Sequence, residues 1–166
     1  MLLNEITQNE ALALFENRDG SLYWKVSRGR TKAGNEAGHL TENGYKRFKT
    51  GHKSYLVHRI VFLMHHGYMP EFVDHIDGNK INNSIENLRA VSQSQNQWNS
   101  KLRTDNITGC KGVRWHKHAK KWTAKITMNK KTKHLGYFDD IELADLVVQM
   151  AREKYHGKYA NNGVTE

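Results

Sequence analysis

The sequence predicts an α+β protein built from two small modules, and three observations support this fold class. Strand-like runs separated by Gly-containing turns fill the first part of the chain, an Asn-rich hairpin and a short helix follow, and three short strands and one helix end it. With 166 residues and 37% apolar content, the chain can bury the core of one ordinary domain or of two small ones.

The first part combines two helices with antiparallel strands. The stretch TQNEALALFE has the spacing of a capping box and predicts a short helix. SLYWKVS alternates like a strand, and the turn signals Asn43-Gly44 and Thr50-Gly51 separate further strand-like runs. In YLVHRIVFLMHHG, apolar residues at i, i+3, i+4 and i+7 predict a helix with one buried stripe that ends at Gly67.

The middle of the chain reads as strand, loop, strand and helix. FVDH is the first strand, DGNKINNSIEN the loop, LRAVS the return strand and QSQNQWN the helix, which begins with a capping box between Ser92 and Gln95. Asp74 at the strand end and Asn96 in the helix can then converge across the hairpin. Because successive strand residues face opposite sides, His75 need not bind the same metal ion as Asp74. It can instead turn toward a water molecule beside that metal.

These residue types suit metal-dependent phosphodiester hydrolysis. A carboxylate and an amide oxygen are hard ligands that favour Mg²⁺ or Mn²⁺ over zinc, and the single cysteine, Cys110, excludes multi-cysteine zinc sites. A neutral imidazole can take the proton of the attacking water at working pH. The alternative is that the Asp-His pair is structural and the Asn-rich run only forms turns.

The last third predicts a compact sheet-and-helix module after the linker KLRTDNITG. KGVRWH, WTAKITMN and TKHLGYF predict three strands, the last two joined through Asn129-Lys130. DDIELADLVVQMAREKYHG predicts a helix with a capping box between Asp139 and Glu142. Its expected apolar stripe consists of Ala144, Val147, Val148, Ala151 and Tyr155.

The charge distribution indicates a polyanionic partner. The net charge is +9, and residues 101–135 contain eleven Lys and Arg against one acid. A solvated basic face is the alternative, although such faces normally mix both signs. The chain has no apolar run long enough for a membrane span and no signal-peptide pattern, so we expect a soluble cytoplasmic protein, in the host cytoplasm if a phage encodes it.

The segment from Tyr55 to Asn99 resembles the HNH endonucleases of phage and intron-encoded homing enzymes. VHRIVFLMHHG, VDHIDGNKINNSIENLR and QNQWN carry the resemblance. It implies a ββα-metal fold with His75 as general base, Asp74 and Asn96 as ligands of one Mg²⁺ or Mn²⁺, and Asn87 as the middle Asn that braces the loop and orients the base. Many relatives have His where this chain has Asn96, which weakens zinc as the metal.

The segment from Thr108 to Ala160 resembles the Apetala-type, or ethylene-response-factor, DNA-binding domain. GVRWHKHAKKWTAKI, HLGYF and the final helix carry the resemblance. It implies that the sheet residues facing DNA are Lys111, Arg114, His116, Lys125, Thr127 and His134. For Trp115 and Trp122 two roles stay open: each can contact DNA or brace the sheet from below.

Three residues near the hairpin have open roles. His58 can be a phosphate contact, a second catalytic group or a structural residue of its helix, with the structural role favoured. Lys80 and Arg89 are candidate phosphate contacts, and a solvated surface charge explains each equally well.

We therefore expect a nuclease domain over 1–100 (strands to 54, core 55–100), a linker over 101–108, a DNA-binding domain over 109–160 and a tail over 161–166. The expected function is a homing-type, metal-dependent endonuclease that nicks double-stranded DNA as a monomer or weak dimer. The rivals are a non-cleaving DNA-binding regulator with a degenerate nuclease scaffold, and an RNA-binding protein or RNA nuclease.

Overall fold

A computed structural model describes residues 6–100 and 102–162 of the chain. Predictions that fall on residues 1–5, on Lys101 or on residues 163–166 of the tail lie outside this described part. The structure is mixed α and β with several small antiparallel sheets, and it divides into two compact units, Met1–Val91 and Ser92–Glu166. This division falls after Val91, whereas the predicted nuclease domain ends at residue 100. The predicted domain limits stay predictions.

The first unit contains two helices, seven strands and one 3₁₀ turn within its described residues. In chain order they are α1 (Gln8–Leu14), β1 (Phe15–Arg18), β2 (Ser21–Trp24), β3 (His39–Leu40), β4 (Lys46–Thr50), β5 (Lys53–Leu56), α2 (Val57–His66), β6 (Phe72–His75), the 3₁₀ turn (Ile85–Asn87) and β7 (Leu88–Val91). Strand β1 pairs with β2, β4 pairs with β3 and β5, and β6 pairs with β7, all antiparallel.

Local signals explain both helices of this unit. The predicted capping box of α1 is confirmed, because the Thr7 side chain accepts from the Glu10 amide and the Glu10 side chain accepts from the Thr7 amide. Helix α2 ends at Gly67, whose φ of 77° is a left-handed conformation that glycine adopts at little cost. The predicted buried stripe of α2 is confirmed, and Phe62 and Leu63 are buried as well.

Three aromatic rings form the centre of the first unit's core. The ring centroids of Phe15, Trp24 and Phe48 lie 4.5, 4.8 and 5.8 Å apart in tilted and edge-on arrangements. Such pairs add about 0.5–1.5 kcal/mol each to the burial of their area. Val73 and Leu88 of the β6–β7 hairpin belong to the same core, so the hairpin is anchored on it.

The second unit is a three-stranded sheet covered by one long helix, with a short helix at its start. Its elements are α3 (Gln93–Trp98), β8 (Val113–His116), β9 (Lys121–Met128), β10 (Lys131–Phe138), α4 (Ile141–His156) and a 3₁₀ turn (Gly157–Tyr159). The strand order is β10-β9-β8, antiparallel throughout. Buried Val113, Ala124, Ala144 and Val148 join α4 to one face of the sheet.

The N-terminus and the apolar stripe of α4 differ from the prediction. The cap is Asp140, whose side chain accepts from the amides of Glu142 and Leu143, so the predicted capping box between Asp139 and Glu142 is wrong. The chain enters the helix one residue later because Asp139 instead pairs with Lys121 at 3.0 Å. Tyr155 is also exposed rather than part of the buried stripe.

None of the helices in the described ranges is both long enough and apolar enough to cross a membrane.

We predict that a side chain at Gly20 destabilises the fold more than one at Gly34, because the backbone of the Asn-rich loop lies against Gly20. A Cβ on Gly20 would lie 2.3 Å from the carbonyl carbon of Asn83, whereas Gly34 has a similar φ (85° against 81°) and open space around it. Gly34→Ala should cost about 1 kcal/mol of stability from left-handed strain alone. Gly20→Ala should cost about 3 kcal/mol, because the loop backbone must also move. Urea unfolding measures both, and equal losses would contradict the steric explanation.

Candidate active site

The β6–β7 hairpin buries the Asp-His pair. In the antiparallel register Asp74 lies opposite Arg89, and His75 lies opposite Leu88. Asp74 is 8% exposed and His75 is 4% exposed. Because neighbouring strand residues point to opposite faces, the carboxylate and the imidazole make separate contacts.

The carboxylate of Asp74 is held by an arginine of the neighbouring strand. The Nε and Nη2 atoms of Arg89 donate to Oδ2 of Asp74 at 3.0 and 2.8 Å. Both side chains are largely buried, and removing one partner of a buried ion pair leaves an uncompensated charge. Arg89 is therefore an ion-pair partner of the predicted metal ligand, which the sequence reading did not anticipate.

The imidazole of His75 is oriented by a buried asparagine. Nε2 of His75 and Oδ1 of Asn83 are 3.0 Å apart, and Asn83 is only 3% exposed. An amide oxygen carries no hydrogen, so Nε2 must be the donor, and in the neutral ring Nδ1 holds the lone pair. The contact therefore selects the tautomer in which Nδ1 is the basic atom.

The remaining asparagines of the loop organise its backbone around Asp77. The carboxylate of Asp77 accepts from the Asn79 amide at 2.7 Å and from the side chains of Asn82 and Asn87 at 2.7 and 2.9 Å. The side chain of Asn87 also accepts from the Asp77 amide at 3.0 Å and donates to the Asn82 carbonyl at 2.8 Å. Burial works to raise the pKa of Asp77, and these hydrogen bonds outweigh it, so the pKa is lowered.

The loop therefore separates the two tasks that sequence analysis gave to Asn87. Asn87 contacts the loop backbone through Asp77 and Asn82, whereas the hydrogen bond to the His75 ring comes from Asn83. Asn83 was missed because its place inside an Asn-rich run looks like turn composition. Only its burial distinguishes it from its neighbours.

His58 and Tyr45 form a ring cluster with His75. The centroid of His58 lies 4.9 Å from that of His75 and 5.2 Å from that of Tyr45. Burial, together with the charges of His75 and Arg59, lowers the pKa of His58 to about 3. A neutral, buried imidazole brings no positive charge to a phosphate, which favours the structural role for His58.

Lys80 lies at the edge of the same cluster. Its Nζ donates to the Asn43 carbonyl at 3.0 Å and lies 4.8 Å from the ring centroid of Tyr45. The residue is exposed, so its predicted role as a phosphate contact stays open.

The predicted ligand Asn96 lies in α3, in the second unit. The predicted capping box of α3 is confirmed, since Ser92 accepts from the Gln95 amide and Gln95 accepts from the Ser92 amide. Asn96 is half-buried in the first turn. The far end of the helix is fixed within its own unit, where the Trp98 ring stacks on His156 with centroids 4.4 Å apart and planes 3° from parallel.

Lys111 binds backbone carbonyls rather than facing outward. Its Nζ donates to the carbonyls of Trp98, Ser100 and Asn161 at 3.1, 2.6 and 3.2 Å. An ammonium has three protons, and these contacts use all of them. Burial, and then the charge of Arg152, lowers the pKa of Lys111 to about 8. The expected DNA surface therefore depends on the other five residues.

Those five residues share the face of the sheet opposite α4. Cross-strand partners point to the same side, and the register pairs Arg114 with Thr123 and Lys125 with His134. His116 and Thr127 follow at the alternating positions of β8 and β9, whereas the intervening Val113 and Ala124 face α4. Tyr137 also lies on this face, with its ring 5.3 Å from His116 and 4.6 Å from His134.

Trp115 and Trp122 were each expected to be either a DNA contact or a bracing residue under the sheet, and their surroundings differ. Their rings meet edge to face with centroids 5.1 Å apart. Trp122 packs against the core of the second unit, which favours a bracing role, whereas Trp115 stays exposed.

We predict that His58 makes folding stability depend on pH. Its folded pKa is about 3 and its unfolded pKa about 6.5, so below pH 6.5 the unfolded chain binds a proton that the folded protein does not. Stability should therefore fall as pH drops, with about 2 kcal/mol lost to this residue between pH 7 and pH 5. Urea unfolding of His58→Phe should show that much less pH dependence than the native chain. The exposed His52→Gln control should behave like the native chain, and an unchanged pH dependence in His58→Phe would contradict the prediction.

Comparison with known proteins gives the family. Residues 55–98 match the HNH endonuclease family model. The chain is 32% identical over 117 residues to "Protein 3.8" of Escherichia phage T7, a match that covers 69% of this chain and 96% of the phage protein. It is 46% identical over 55 residues, 32% of each chain, to the "SPbeta prophage-derived putative HNH homing endonuclease YosQ" of Bacillus subtilis (strain 168). No solved structure matches the chain. The chain thus belongs to the family of phage T7 protein 3.8 and contains an HNH endonuclease domain.

Proposed function

We propose that this chain is a metal-dependent HNH endonuclease that nicks double-stranded DNA and is directed to it by its C-terminal module. The observation that carries the proposal is the buried imidazole of His75, beside Asp74 on one hairpin and bonded to Asn83, inside the region that matches the HNH endonuclease model. The name of the prophage relative supports the homing type.

His75 is the proposed general base. In phosphodiester hydrolysis a water molecule attacks the phosphorus while the P–O bond to the leaving oxygen breaks. Nδ1 of His75 takes a proton from the attacking water, and the leaving oxygen takes one from solvent. Asn83 accepts from Nε2–H both before and after this transfer, so the ring keeps its orientation while its charge changes. Asn87 acts through the loop, whose backbone it braces.

Asp74 and Asn96 are the proposed ligands of one Mg²⁺ or Mn²⁺, and their oxygens fit such a cation. Arg89 contacts Oδ2 of Asp74, but a carboxylate offers about four lone-pair positions, so an arginine and a cation can share it. When bound, the cation would stabilise the negative charge that develops on the phosphate and the leaving oxygen. The described residues hold no group of three His, Cys, Asp or Glu side chains suited to a metal, and the proposed set needs none, because water and phosphate oxygens complete the shell.

The remaining basic residues are proposed to hold the duplex. Lys80 and Arg89 lie on the loop and the return strand of the hairpin, where they would contact phosphates near the cut. In the second unit, which we propose to be an Apetala-type domain over 109–160, the exposed sheet face would enter the major groove. One nuclease site per chain predicts that a single chain cuts one strand.

The rival function is a DNA-binding regulator with an inactive nuclease scaffold. A decayed site is expected to lose one of its chemical groups, yet Asp74, His75, Asn87 and Asn96 are all present. Cleavage assays separate the two functions.

We predict that the chain converts supercoiled plasmid into relaxed circles before linear DNA appears, with Mg²⁺ or Mn²⁺ and not with EDTA. His75→Ala should lower the rate by about 10²–10⁴-fold, the usual contribution of a general base. Asp74→Asn should also lose activity, whereas the exposed control His52→Ala should not. DNA binding without cutting, under either metal and on duplex or single-stranded substrates, would leave the regulator as the better account. Stronger cutting of RNA would identify an RNA nuclease instead.

We predict that Asn83 acts through the orientation of His75. Asn83→Leu keeps the size of the side chain but removes the acceptor, so kcat should fall about 10²-fold, in line with the cost of misplacing a catalytic group. Asn83→Asp keeps an acceptor oxygen and should retain most of the activity. DNA affinity, measured by fluorescence anisotropy, should be unchanged in both variants. Equal losses of kcat in both variants would assign Asn83 a purely structural role.

A further inference from the structure

The turn that leads into β4 places Tyr45 next to the proposed base. The amide and the hydroxyl of Thr41 both donate to the Tyr45 carbonyl, at 2.9 and 3.0 Å, and the Gly44 amide donates to the Thr41 carbonyl at 2.8 Å. Tyr45 is half-buried, and its ring centroid lies 5.2 Å from that of His58 and 6.1 Å from that of His75. The ring therefore has a defined place beside His75.

Lys80 lies along the same turn. Its Nζ donates to the Asn43 carbonyl at 3.0 Å and lies 4.8 Å from the ring centroid of Tyr45, within the range of a cation–π contact. A Cβ on Gly44 would lie 3.6 Å from Cδ of Lys80, so the aliphatic part of the lysine also reaches van der Waals distance of the turn. Holding an exposed lysine in one conformation costs side-chain entropy. Three contacts with one turn therefore favour a role in which the place of the ammonium group matters.

The ammonium of Lys80 is close enough to His75 for both to act on one phosphate. The two distances from the Tyr45 ring centre, 4.8 and 6.1 Å, place Nζ of Lys80 and the His75 ring centre no more than about 11 Å apart. An imidazole, the water bonded to it, the phosphorus that this water attacks and an ammonium bonded to the same phosphate span roughly 10 Å. An ammonium has three protons and the Asn43 carbonyl takes one, so two can point to phosphate oxygens.

We propose that Tyr45 is a positioning residue of the nuclease site, which holds the ammonium group of Lys80 for the DNA phosphate at His75. The inference rests on the proposed function, and it assigns Lys80 to the phosphate that is attacked rather than to a neighbouring one. Lys80 donates charge-assisted hydrogen bonds to non-bridging oxygens of that phosphate and stays protonated throughout. Because the Tyr45 ring holds the ammonium in place before DNA binds, less side-chain entropy is lost on binding.

The ring of Tyr45, rather than its hydroxyl, is the part that holds Lys80. A cation–π contact uses the face of an aromatic ring, and phenylalanine offers the same face. Tyr45→Phe should therefore keep the position of Lys80, whereas Tyr45→Leu should lose it. A purely structural Tyr45 would also tolerate phenylalanine better than leucine, so the decisive observation is whether Tyr45 acts through Lys80.

We predict that Tyr45 and Lys80 are coupled in the binding of a short labelled DNA duplex, measured by fluorescence anisotropy in EDTA. Lys80→Gln should raise the dissociation constant about fivefold and make the slope of log K against log salt concentration about 0.9 less steep, because one phosphate contact is lost. Tyr45→Leu should raise the dissociation constant about fivefold in the native chain and less than about 1.5-fold in Lys80→Gln. Tyr45→Phe should stay within about twofold of the native value. Urea unfolding checks that each variant is folded.

Tyr23 provides a matched control in the same unit. The guanidinium of Arg18 lies 4.5 Å from the Tyr23 ring centroid, but Arg18 also pairs with Glu16 at 2.7 Å. Tyr23→Leu removes the ring of a cation–π pair whose cation is already neutralised, and it should leave DNA binding unchanged. Equal losses for Tyr45→Leu in the native chain and in Lys80→Gln, or native binding by Lys80→Gln, would overturn the proposal.

Cleavage shows which phosphate Lys80 contacts. With Mg²⁺ or Mn²⁺, Lys80→Gln and Tyr45→Leu should each lower kcat about tenfold, and the double variant should be no slower than Lys80→Gln. An unchanged kcat in Lys80→Gln would place Lys80 at another phosphate and overturn the proposal. A native chain that binds DNA without cutting it would instead contradict the proposed function, and the coupling in DNA binding would still decide the role of Tyr45.

Discussion

The buried hydrogen bond between His75 and Asn83 is the constraint around which the nuclease half of the chain is built. An imidazole N–H removed from water costs free energy unless an acceptor meets it, and Asn83 lies eight residues further along an irregular loop. The loop must therefore return to the hairpin with a fixed backbone. The asparagines around Asp77 hold that backbone, and Gly20 leaves room for it where any side chain would collide with Asn83.

Part of the positive charge of the chain has a structural role. The net charge of +9 suggests a surface made for a polyanion, but two cations of the second unit are turned inward. Lys111 binds three carbonyls, and buried Arg152 donates to the Lys111 carbonyl and to Asn162. These cations fix the C-terminal end of α3 and the final segment, so only part of the positive charge is available for the proposed contact with DNA.

The features that could be predicted from the sequence depend on local signals. Capping boxes at Thr7 and Ser92, the left-handed stop at Gly67 and the strands of the β6–β7 hairpin depend on residues a few positions apart, and all of them are confirmed. The cap of α4 was missed by one residue because Asp139 and Asp140 are equally good caps, and the pairing of Asp139 with distant Lys121 decides between them.

The less predictable features depend on the register of distant segments. Arg89 lies opposite Asp74 because the length of the loop sets the register of the two strands. Lys111 contacts the carbonyl of Asn161, 50 residues further along the chain, only when the second unit is folded. The burial that singles out Asn83 among its neighbours comes from the packing of the whole first unit. The amino-acid composition around Arg89, Lys111 and Asn83 does not indicate these contacts.

The position of the proton on the His75 ring shows whether Asn83 sets the tautomer. Long-range ¹H–¹⁵N correlation spectra of the ring at neutral pH, assigned with a His75→Gln variant, show which nitrogen carries the proton. We expect a proton on Nε2 and a lone pair on Nδ1 in the native chain, with that preference lost in Asn83→Leu. A proton on Nδ1, or an even mixture of tautomers in the native chain, would contradict it.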